Sequence, residues 1–256
     1  KHVALVAVLQ YLRKKDAAFA VIDSHAGRGA YDLSASEALR TGEAADGIGQ
    51  LADLQSGPPA LAAYLDLVHA AGPSTYPGSP LIAASLLRPQ DRLLAIEKHP
   101  DGAAVLVATL KPFRNAQTQT ADGYARLAAL LPPPQRRGVI LIDPPYEAPD
   151  EFAQVARAMA GALRRFATGV YLVWFPIKSP AEANGLCGEV LAAGAKKALR
   201  IDVRRGSAAT DRLGAAGLLI VNPPFGFASE MQTALALTMP LMAGGEASIA
   251  WLAGGE

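Results

Sequence analysis

The chain has 256 residues, of which 51% are hydrophobic, and a formal net charge of +1 at pH 7. This length fits a single α/β domain over residues 1–256, and because no uninterrupted apolar run approaches the roughly 20 residues of a membrane span, we expect no membrane attachment. The single cysteine, Cys187, excludes an internal disulfide and a cysteine zinc cluster and is typical of a cytoplasmic protein. We expect Cys187 to be a small buried residue.

The first predicted element is a helix in KHVALVAVLQYLRKKD (1–16). Its apolar residues at positions 3, 5, 6, 8, 9 and 12 have the spacing of an amphipathic helix. Gln10 and Tyr11 interrupt the run, basic residues end it, and it lacks a small-residue cleavage site. These features disfavour a signal sequence.

The rest of the chain alternates between predicted strands and helices. Apolar runs that predict strands occur in AFAVIDSHAGRG (18–29), RLLAIEKH (92–99), GVILIDPPY (138–146), TGVYLVWFP (168–176) and AGLLIVNPPF (216–225), with ASIAWL (247–252) as a last, edge strand. Helical stretches are predicted near 101–113, 123–131, 150–165, 181–193 and 229–242. Strands that are apolar on both faces and separated by helices indicate a doubly wound, mostly parallel sheet with helices on both faces. Ligands bind such a sheet outside the carboxyl ends of the strands, where Asp23, Glu97 and Asp143 fall.

The first strand and RLLAIE (92–97) are unusually far apart. About seventy residues separate them, whereas a plain βαβ unit needs about thirty. The intervening stretch, 33–90, is predicted to contain short helices broken by SGPP (56–59) and YPGSP (76–80). We interpret it as a small helical insertion within the single domain.

A glycine-containing turn follows the first strand in DSHAGRGAY (23–31). Gly27 and Gly29 would let the backbone turn with positive φ and approach a ligand closely. A nicotinamide dehydrogenase would need a third glycine where Asp32 stands, and an acid about 20 residues beyond the turn. Neither is in place, so that class of enzyme is disfavoured.

Two further strand ends add polar groups to the same pocket. Glu97 could accept both hydroxyls of a ribose, or could be an exposed strand-end acid. Asp122 and Gly123 precede a predicted helix, and Asp122 could either cap that helix or reach an adenine amine. Together with the glycine turn, these residues predict a site for a nucleotide-type cofactor.

The DPPY tetrad at 143–146 suggests the reaction. The exocyclic amine of adenine is a poor nucleophile because its lone pair is delocalised into the ring. The Asp143 carboxylate and the backbone carbonyl of Pro144, which precedes a second proline, could accept the two amine hydrogens and localise that pair. Tyr146 offers a flat face for stacking an unstacked base. The partner would be a sulfonium methyl donor, and the enzyme would act mainly by positioning and electrostatics.

The sequence resembles a known family across nearly its whole length. IDPPY with its upstream glycine turn is similar to the class I, S-adenosylmethionine-dependent amino-methyltransferases. More closely, the chain resembles the RlmJ family of bacterial 23S ribosomal RNA adenine-N6 methyltransferases. The matching segments are KH (1–2), DSHAGRGAYDL (23–33), RTGEA (40–44), YPGSPLIA (76–83), EKHP around Glu97, ADG (121–123), RRGVILIDPPYE (136–147), RFATGVYLVWFP (165–176) and IVNPPF (220–225).

The resemblance implies specific roles for residues of this chain. The implied S-adenosylmethionine site contains His2, His25, Ser79, Glu97, Asp122 and Gly123, and the implied catalytic residue is Asp143. Each role has an ordinary structural alternative: Ser79 could cap a helix, His25 could brace the glycine turn, and His2 could be an ordinary residue of the first helix. The implied partner is 23S ribosomal RNA, and we expect a monomer without a bound metal.

The family has a short segment before Lys-His that is rich in Tyr, His and Asn and is implied to reach the RNA and close over the cofactor. The numbering of this chain starts at Lys1. We expect weakened activity in a protein without that segment.

A Gly/Ala-rich loop at 204–217 carries Arg204, Arg205 and Arg212. We predict that it is mobile in the free enzyme and becomes ordered on RNA through phosphate contacts. A DNA adenine methyltransferase would share the same chemistry and is the main alternative. A non-catalytic RNA-binding module would leave DPPY without a use.

The tetrad NPPF (222–225) repeats the DPPY pattern. In the methyltransferase version of this sheet, the late strand before NPPF is expected to run antiparallel, which would send Asn222 to the edge opposite the pocket. We therefore predict that NPPF is a rigid turn in which the two prolines stop the strand and Phe225 packs.

Overall fold

The computed structural model describes residues 1–35, 47–51, 54, 56–206, 214–242 and 244–255. Its strands, in chain order, are β1 (Ala20–Asp23), β2 (Ala30–Asp32), β3 (Thr75–Pro77), β4 (Arg92–Glu97), β5 (Ala116–Thr120), β6 (Gly138–Ile142), β7 (Val170–Pro176), β8 (Ala198–Arg204), β9 (Ala215–Val221) and β10 (Glu246–Ala253). Within the described ranges, eight of them form one sheet in the order β10-β8-β9-β7-β6-β1-β4-β5, and β2 pairs with β3 in a separate ribbon.

The large sheet is mostly parallel. β5, β4, β1, β6 and β7 pair side by side in parallel. β9 is antiparallel to both β7 and β8, so β8 runs in the same direction as β7. β10 pairs antiparallel with β8 at the edge of the sheet. The predicted doubly wound sheet, its final edge strand and the reversed strand before NPPF are confirmed.

Helices cover both faces of this sheet. In chain order they are α1 (His2–Arg13), α2 (Pro59–Ala71), α3 (Ser79–Leu86), α4 (Pro100–Leu110), α5 (Gly123–Leu130), α6 (Glu151–Arg165), α7 (Pro180–Ala192) and α8 (Phe227–Thr238). Alternate strand residues point to opposite faces. Val21 and Val139 therefore pack with α1, α2 and α8, whereas Ile22 and Ile140 pack with α5, α6 and α7.

The first helix is confirmed, and its far end is tied to the sheet. The Arg137 guanidinium donates to the carbonyls of Leu12 and Ala17, so Arg137 stabilises the fold. Cys187 is buried as predicted. Among the described helices, none is long and apolar enough to cross a membrane.

The stretch 33–90 contains a short 3-10 helix at Ile48–Leu51, then α2, β3 and α3. Residues 36–46, 52–53 and 55, which include the RTGEA motif, lie outside the described residues. The β2–β3 ribbon joins the start of the stretch to the residues just before α3. The interpretation of 33–90 as an inserted subdomain stays a prediction.

Candidate active site

Three acidic residues meet where neighbouring strands of the large sheet have their carboxyl ends. Asp23 ends β1, Glu97 ends β4, and Asp143 follows the last residue of β6. Because β1 lies between β4 and β6 and all three run parallel, their carboxyl ends are neighbours. The arrangement predicted from the strand ends is therefore present.

Asp23 is the most unusual of the three. Its side chain is almost completely buried, with 1% of the residue exposed. Oδ2 accepts a hydrogen bond from the Ser79 hydroxyl at 2.6 Å, whereas Oδ1 has no hydrogen-bond partner among the described residues. Burial raises the pKa of Asp23 to about 6. A buried carboxylate oxygen without a donor is costly, and a positively charged donor is the group that would best satisfy it.

Ser79 does not cap a helix. It is the first residue of α3, the cap position is Gly78, and the Ser79 hydroxyl is directed at Asp23. The helix-cap alternative for Ser79 is therefore wrong, because its hydroxyl donates a hydrogen bond to the buried Asp23 carboxylate instead.

Glu97 holds the glycine turn in place. Its Oε2 accepts from the Gly27 backbone N–H at 2.9 Å, and its Oε1 accepts from the His99 backbone N–H at 2.7 Å. Glu97 is buried, so the alternative of an exposed strand-end acid is wrong. Each carboxylate oxygen has a second lone pair that remains able to accept a hydroxyl. Gly27 has a φ of 61°, which explains the glycine there.

Asp122 and Gly123 lie at the start of α5, next to the predicted cofactor pocket. Asp122 caps α5 by accepting from the Ala125 N–H at 3.1 Å, and its other oxygen lies 3.1 Å from the Lys98 ammonium. The helix-cap alternative is thus observed, and the contact of Asp122 with an adenine amine stays a prediction. A Cβ on Gly123 would lie 2.0 Å from the Ser24 carbonyl oxygen, so only glycine fits.

Two histidines lie close to these residues. His2 is buried, its Nδ1 lies 2.8 Å from the Tyr76 hydroxyl, and the two rings stack at 5.6 Å. His25 Nδ1 lies 2.8 Å from the Ser24 hydroxyl, next to the glycine turn. Burial lowers the pKa of both imidazoles, so both are neutral at pH 7. Their cofactor contacts stay predictions.

Asp143 forms an ion pair that the sequence reasoning missed. The Lys1 ammonium lies 2.5 Å from Asp143 Oδ2 and 5.4 Å from the centre of the Trp174 ring. The contact joins residues 142 positions apart, so local sequence carries no signal for it. An amino nitrogen therefore reaches this carboxylate, which remains partly exposed.

The two other members of the DPPY tetrad are packed into the protein. Pro144 is buried. Tyr146 has a φ of 54° and is only 8% exposed. Its hydroxyl donates to the Trp174 carbonyl at 2.9 Å, and its ring contacts Phe152 at 4.8 Å. In this conformation Tyr146 braces the turn, and its stacking on a base stays a prediction.

NPPF has a different environment. β9 runs opposite to β6, so Asn222 lies at the other edge of the sheet, where its Nδ2 donates to the carbonyls of Ala167 and Gly169, both at 2.8 Å. Asn222 therefore ties the end of β9 to the loop before β7, and it lies away from the pocket, as predicted for NPPF. The expectation that Phe225 packs is wrong: it is 75% exposed, because it lies in the turn before α8, outside both cores.

Two of the three loop arginines lie at the same end of the sheet as Asp143. Arg204 ends β8, which runs in the same direction as β7, and Arg205 follows it. Both line a cavity of about 690 Å³ that also contacts Lys1 and Trp174. Arg212 and the centre of the predicted mobile loop, residues 207–213, lie outside the described residues. In the part of the chain that the structure describes, no group of three or more His, Cys, Asp or Glu could hold a metal ion.

Comparison with known proteins identifies close relatives. The family described as "Ribosomal RNA large subunit methyltransferase D, RlmJ" matches residues 16–253. Two proteins named "Ribosomal RNA large subunit methyltransferase J" are similar: the Haemophilus influenzae protein is 35% identical over 98% of this chain and 93% of its own, and the Escherichia coli protein is 36% identical over 92% and 86%. A crystal structure of a Legionella pneumophila protein, 31% identical, superimposes with a TM-score of 0.91 over 100% of this chain and 96% of that one.

Proposed function

The chain belongs to the RlmJ family of ribosomal RNA large subunit methyltransferases, and from this premise we propose that it methylates the N6 amine of one adenine in 23S ribosomal RNA. It is an S-adenosylmethionine-dependent ribosomal RNA methyltransferase. The single buried Cys187 suits a reducing compartment, and we infer that the protein acts in the cytoplasm.

The orphaned oxygen of Asp23 is the observation that best supports the cofactor site. The amino-acid end of S-adenosylmethionine carries an ammonium group, which is the kind of donor that Asp23 Oδ1 lacks. Gly123 adds to the fit, because a Cβ there would displace the wall that Ser24 forms. Asp23 therefore joins the predicted cofactor residues, which are His2, His25, Gly27, Gly29, Ser79, Glu97, Asp122, Gly123 and Asp143.

Asp143 and the Pro144 carbonyl are the proposed grip on the substrate. When bound, S-adenosylmethionine supplies an electrophilic methyl group on a sulfonium sulfur. Asp143 accepts one N6–H of the target adenine and the Pro144 carbonyl accepts the other, so that the nitrogen lone pair is directed at the methyl carbon. As the N–C bond forms and the C–S bond breaks, the surplus N6 proton passes to Asp143 or to water beside it.

Lys1 occupies the place where the substrate amine would reach Asp143 Oδ2. Since Asp143 has two oxygens and Lys1 lies at the partly exposed side of the pair, the incoming amine either shares the carboxylate with the ammonium or displaces it. In both cases Asp143 exchanges one nitrogen partner for another, so the carboxylate is not left without a donor.

The test of the proposed substrate is transfer of a tritiated methyl group. Purified 23S ribosomal RNA, free and assembled into ribosomal subunits, is compared with duplex DNA under identical conditions. We expect labelling of RNA at N6-methyladenosine and none of DNA. Equal labelling of DNA would overturn the proposed substrate, and label on a base other than adenine would overturn the proposed chemistry.

The two tetrads provide a matched pair of variants. Asp143→Ala should abolish single-turnover transfer and retain cofactor binding through the other predicted cofactor residues, which it leaves in place. Asn222→Ala should retain transfer and lose about 0.5–1.5 kcal/mol of stability, because the exposed Ala167 carbonyl and the partly buried Gly169 carbonyl lose their donor. Thermal melts report folding of both variants. An active Asp143→Ala protein beside a folded, inactive Asn222→Ala protein would assign the reaction to the wrong tetrad.

A further inference from the structure

A tyrosine–glutamate pair connects the cofactor side of the active site with the turn that carries Asp143. Tyr124 is the second residue of α5, and its hydroxyl donates to Glu151 Oε1 at 2.8 Å. Glu151 is the first residue of α6 and is buried. Burial, together with the neighbouring Glu151 carboxylate, raises the pKa of Tyr124, so the hydroxyl stays protonated and is the donor.

On one side, the pair supports the substrate turn. Glu151 Oε2 accepts from the Ala148 N–H at 3.3 Å, and the Glu151 N–H donates to the Ala148 carbonyl at 3.1 Å. These two bonds close the loop that follows the DPPY tetrad. The next residue, Phe152, packs against the Tyr146 ring at 4.8 Å. The first two residues of α6 thus hold the DPPY turn in place, Glu151 by hydrogen bonds and Phe152 by packing.

On the other side, the pair contacts residues that are predicted to bind the cofactor. Tyr124 directly follows Gly123, and its ring meets the His25 ring edge-on at 4.6 Å. His25 in turn contacts the Ser24 hydroxyl, which donates to the Leu141 carbonyl at 2.8 Å, two residues before Asp143. A closed path of contacts therefore links the glycine turn, the start of α5, the start of α6 and β6.

We propose that Tyr124 and Glu151 are positioning residues for methyl transfer, which hold the turn at 143–146 at a fixed distance from the cofactor walls. The inference rests on the proposed function, because it assigns the pair to the same reaction. Neither residue need contact the substrate; both act through Asp143 and Tyr146. A displacement of about 1 Å between reacting groups can lower a rate by ~100-fold, so a small shift of this turn has a measurable effect.

Tyr124→Phe is the first test, because it keeps the ring packing and removes only the hydroxyl. We expect the single-turnover rate of methyl transfer to ribosomal RNA to fall by roughly 10- to 100-fold. The dissociation constant for S-adenosylmethionine, measured by calorimetry, should stay close to that of the unsubstituted protein, because the cofactor walls keep their own hydrogen bonds.

Glu151 is tested with a conservative and a disruptive variant. In Glu151→Gln the side-chain oxygen can still accept from Ala148, and the amide can donate to the Tyr124 oxygen, so most of the rate should remain. Glu151→Ala should be at least as slow as Tyr124→Phe, because it removes the bond to the Ala148 N–H as well as the bond to Tyr124. The double variant Tyr124→Phe/Glu151→Ala should be no slower than Glu151→Ala, since Glu151→Ala has already removed the bond that Tyr124→Phe removes.

Tyr171→Phe is the matched control. Tyr171 is fully buried, and its hydroxyl donates to the carbonyls of Ala162 and Phe166, remote from the substrate turn. It should lower the melting temperature and leave the transfer rate of the folded protein unchanged.

The inference is overturned if Tyr124→Phe transfers at the unsubstituted rate, if Tyr171→Phe is slowed to the same degree, or if Glu151→Gln is as slow as Glu151→Ala. An unsubstituted protein that does not methylate ribosomal RNA at all would instead overturn the proposed function and remove the basis of this inference. An active unsubstituted protein with an equally active Tyr124→Phe variant would overturn the positioning role alone.

Discussion

Replacing Asp23 with asparagine should make the protein more stable and a poorer binder of its cofactor. The buried carboxylate has a pKa of about 6, compared with an ordinary value of 3.8. At ~1.4 kcal/mol per pKa unit, ionising it in the folded protein costs about 3 kcal/mol. Asparagine keeps an oxygen that can accept from Ser79 and removes this cost.

The sign of the effect depends on pH in a defined way. Below about pH 4, Asp23 is protonated in both the folded and the unfolded chain and contributes no difference. Between about pH 4 and 6 the unfolded chain loses this proton first, so the folded state binds more protons and its stability falls as pH rises. The stability advantage of Asp23→Asn should therefore grow by about 2 kcal/mol between pH 4.5 and pH 8.

Urea denaturation of both proteins across this pH range measures the difference, provided that the m-values agree. Calorimetry at pH 8 should show S-adenosylmethionine bound at least about tenfold more weakly by Asp23→Asn, because a charge-assisted hydrogen bond of ~1.5–3 kcal/mol is lost. A variant that is no more stable than the unsubstituted protein at pH 8, or whose advantage does not change with pH, would refute the reasoning.

Asp91→Asn provides a control of opposite sign. Asp91 is also buried, but its carboxylate accepts from the Phe19 and Arg88 backbone N–H groups and from the Arg88 guanidinium. Burial acts to raise the pKa of Asp91, and these donors outweigh burial and lower it. Asp91→Asn should thus destabilise the protein at pH 8, and the loss should shrink as the pH falls through the lowered pKa of Asp91.

Three further variants test the remaining assignments. Glu97→Ala should weaken S-adenosylmethionine binding by about 1–3 kcal/mol, because it leaves polar groups of the pocket without a partner; unchanged affinity in calorimetry would remove Glu97 from the pocket. Gly123→Ala should abolish cofactor binding or lower the melting temperature, because the added Cβ would overlap the Ser24 carbonyl; normal binding and melting would contradict the close approach. The last variant replaces three arginines with alanine: Arg204, Arg205 and Arg212. It should raise the Michaelis constant for RNA, leave cofactor affinity unchanged, and reduce the salt dependence by ~0.7 per lost phosphate contact; an unchanged salt slope would exclude these side chains as phosphate contacts.

The sequence predicts the central strands well because these strands are buried on both faces. Every residue of β6 is buried, so the run GVILI is apolar throughout. β5, with the sequence AQTQT, is the edge strand of the sheet and is partly exposed along its length, so no apolar run marks it, and only the Asp122–Gly123 pair after it indicates a strand end there. β8 was missed because Arg200 and Asp202 interrupt its apolar pattern; the structure pairs them with each other at 2.7 Å.

At the active site, the acids at strand ends were predictable because a parallel sheet gathers them at one edge. The unpaired oxygen of Asp23 could not be predicted. Ser79, which lies 56 positions away in the chain, donates to Oδ2 only and leaves Oδ1 without a partner. The packing of Tyr146 against Phe152 was also unpredictable, because it depends on the positive φ of Tyr146, which a non-glycine residue rarely adopts and which the sequence does not indicate. Residue types indicated the chemistry, and tertiary contacts decided which atoms remain available for it.

The exposed position of Phe225 makes it a useful point of attachment. The chain has one natural cysteine, Cys187, which is buried and whose thiol pKa is raised by that burial, so it reacts slowly with maleimides. A Phe225→Cys variant would therefore carry a single reactive thiol, at the sheet edge opposite Asp143. A fluorophore or biotin placed there would tether the enzyme with its active site facing solution, so that RNA capture by single molecules could be followed without a label in the pocket.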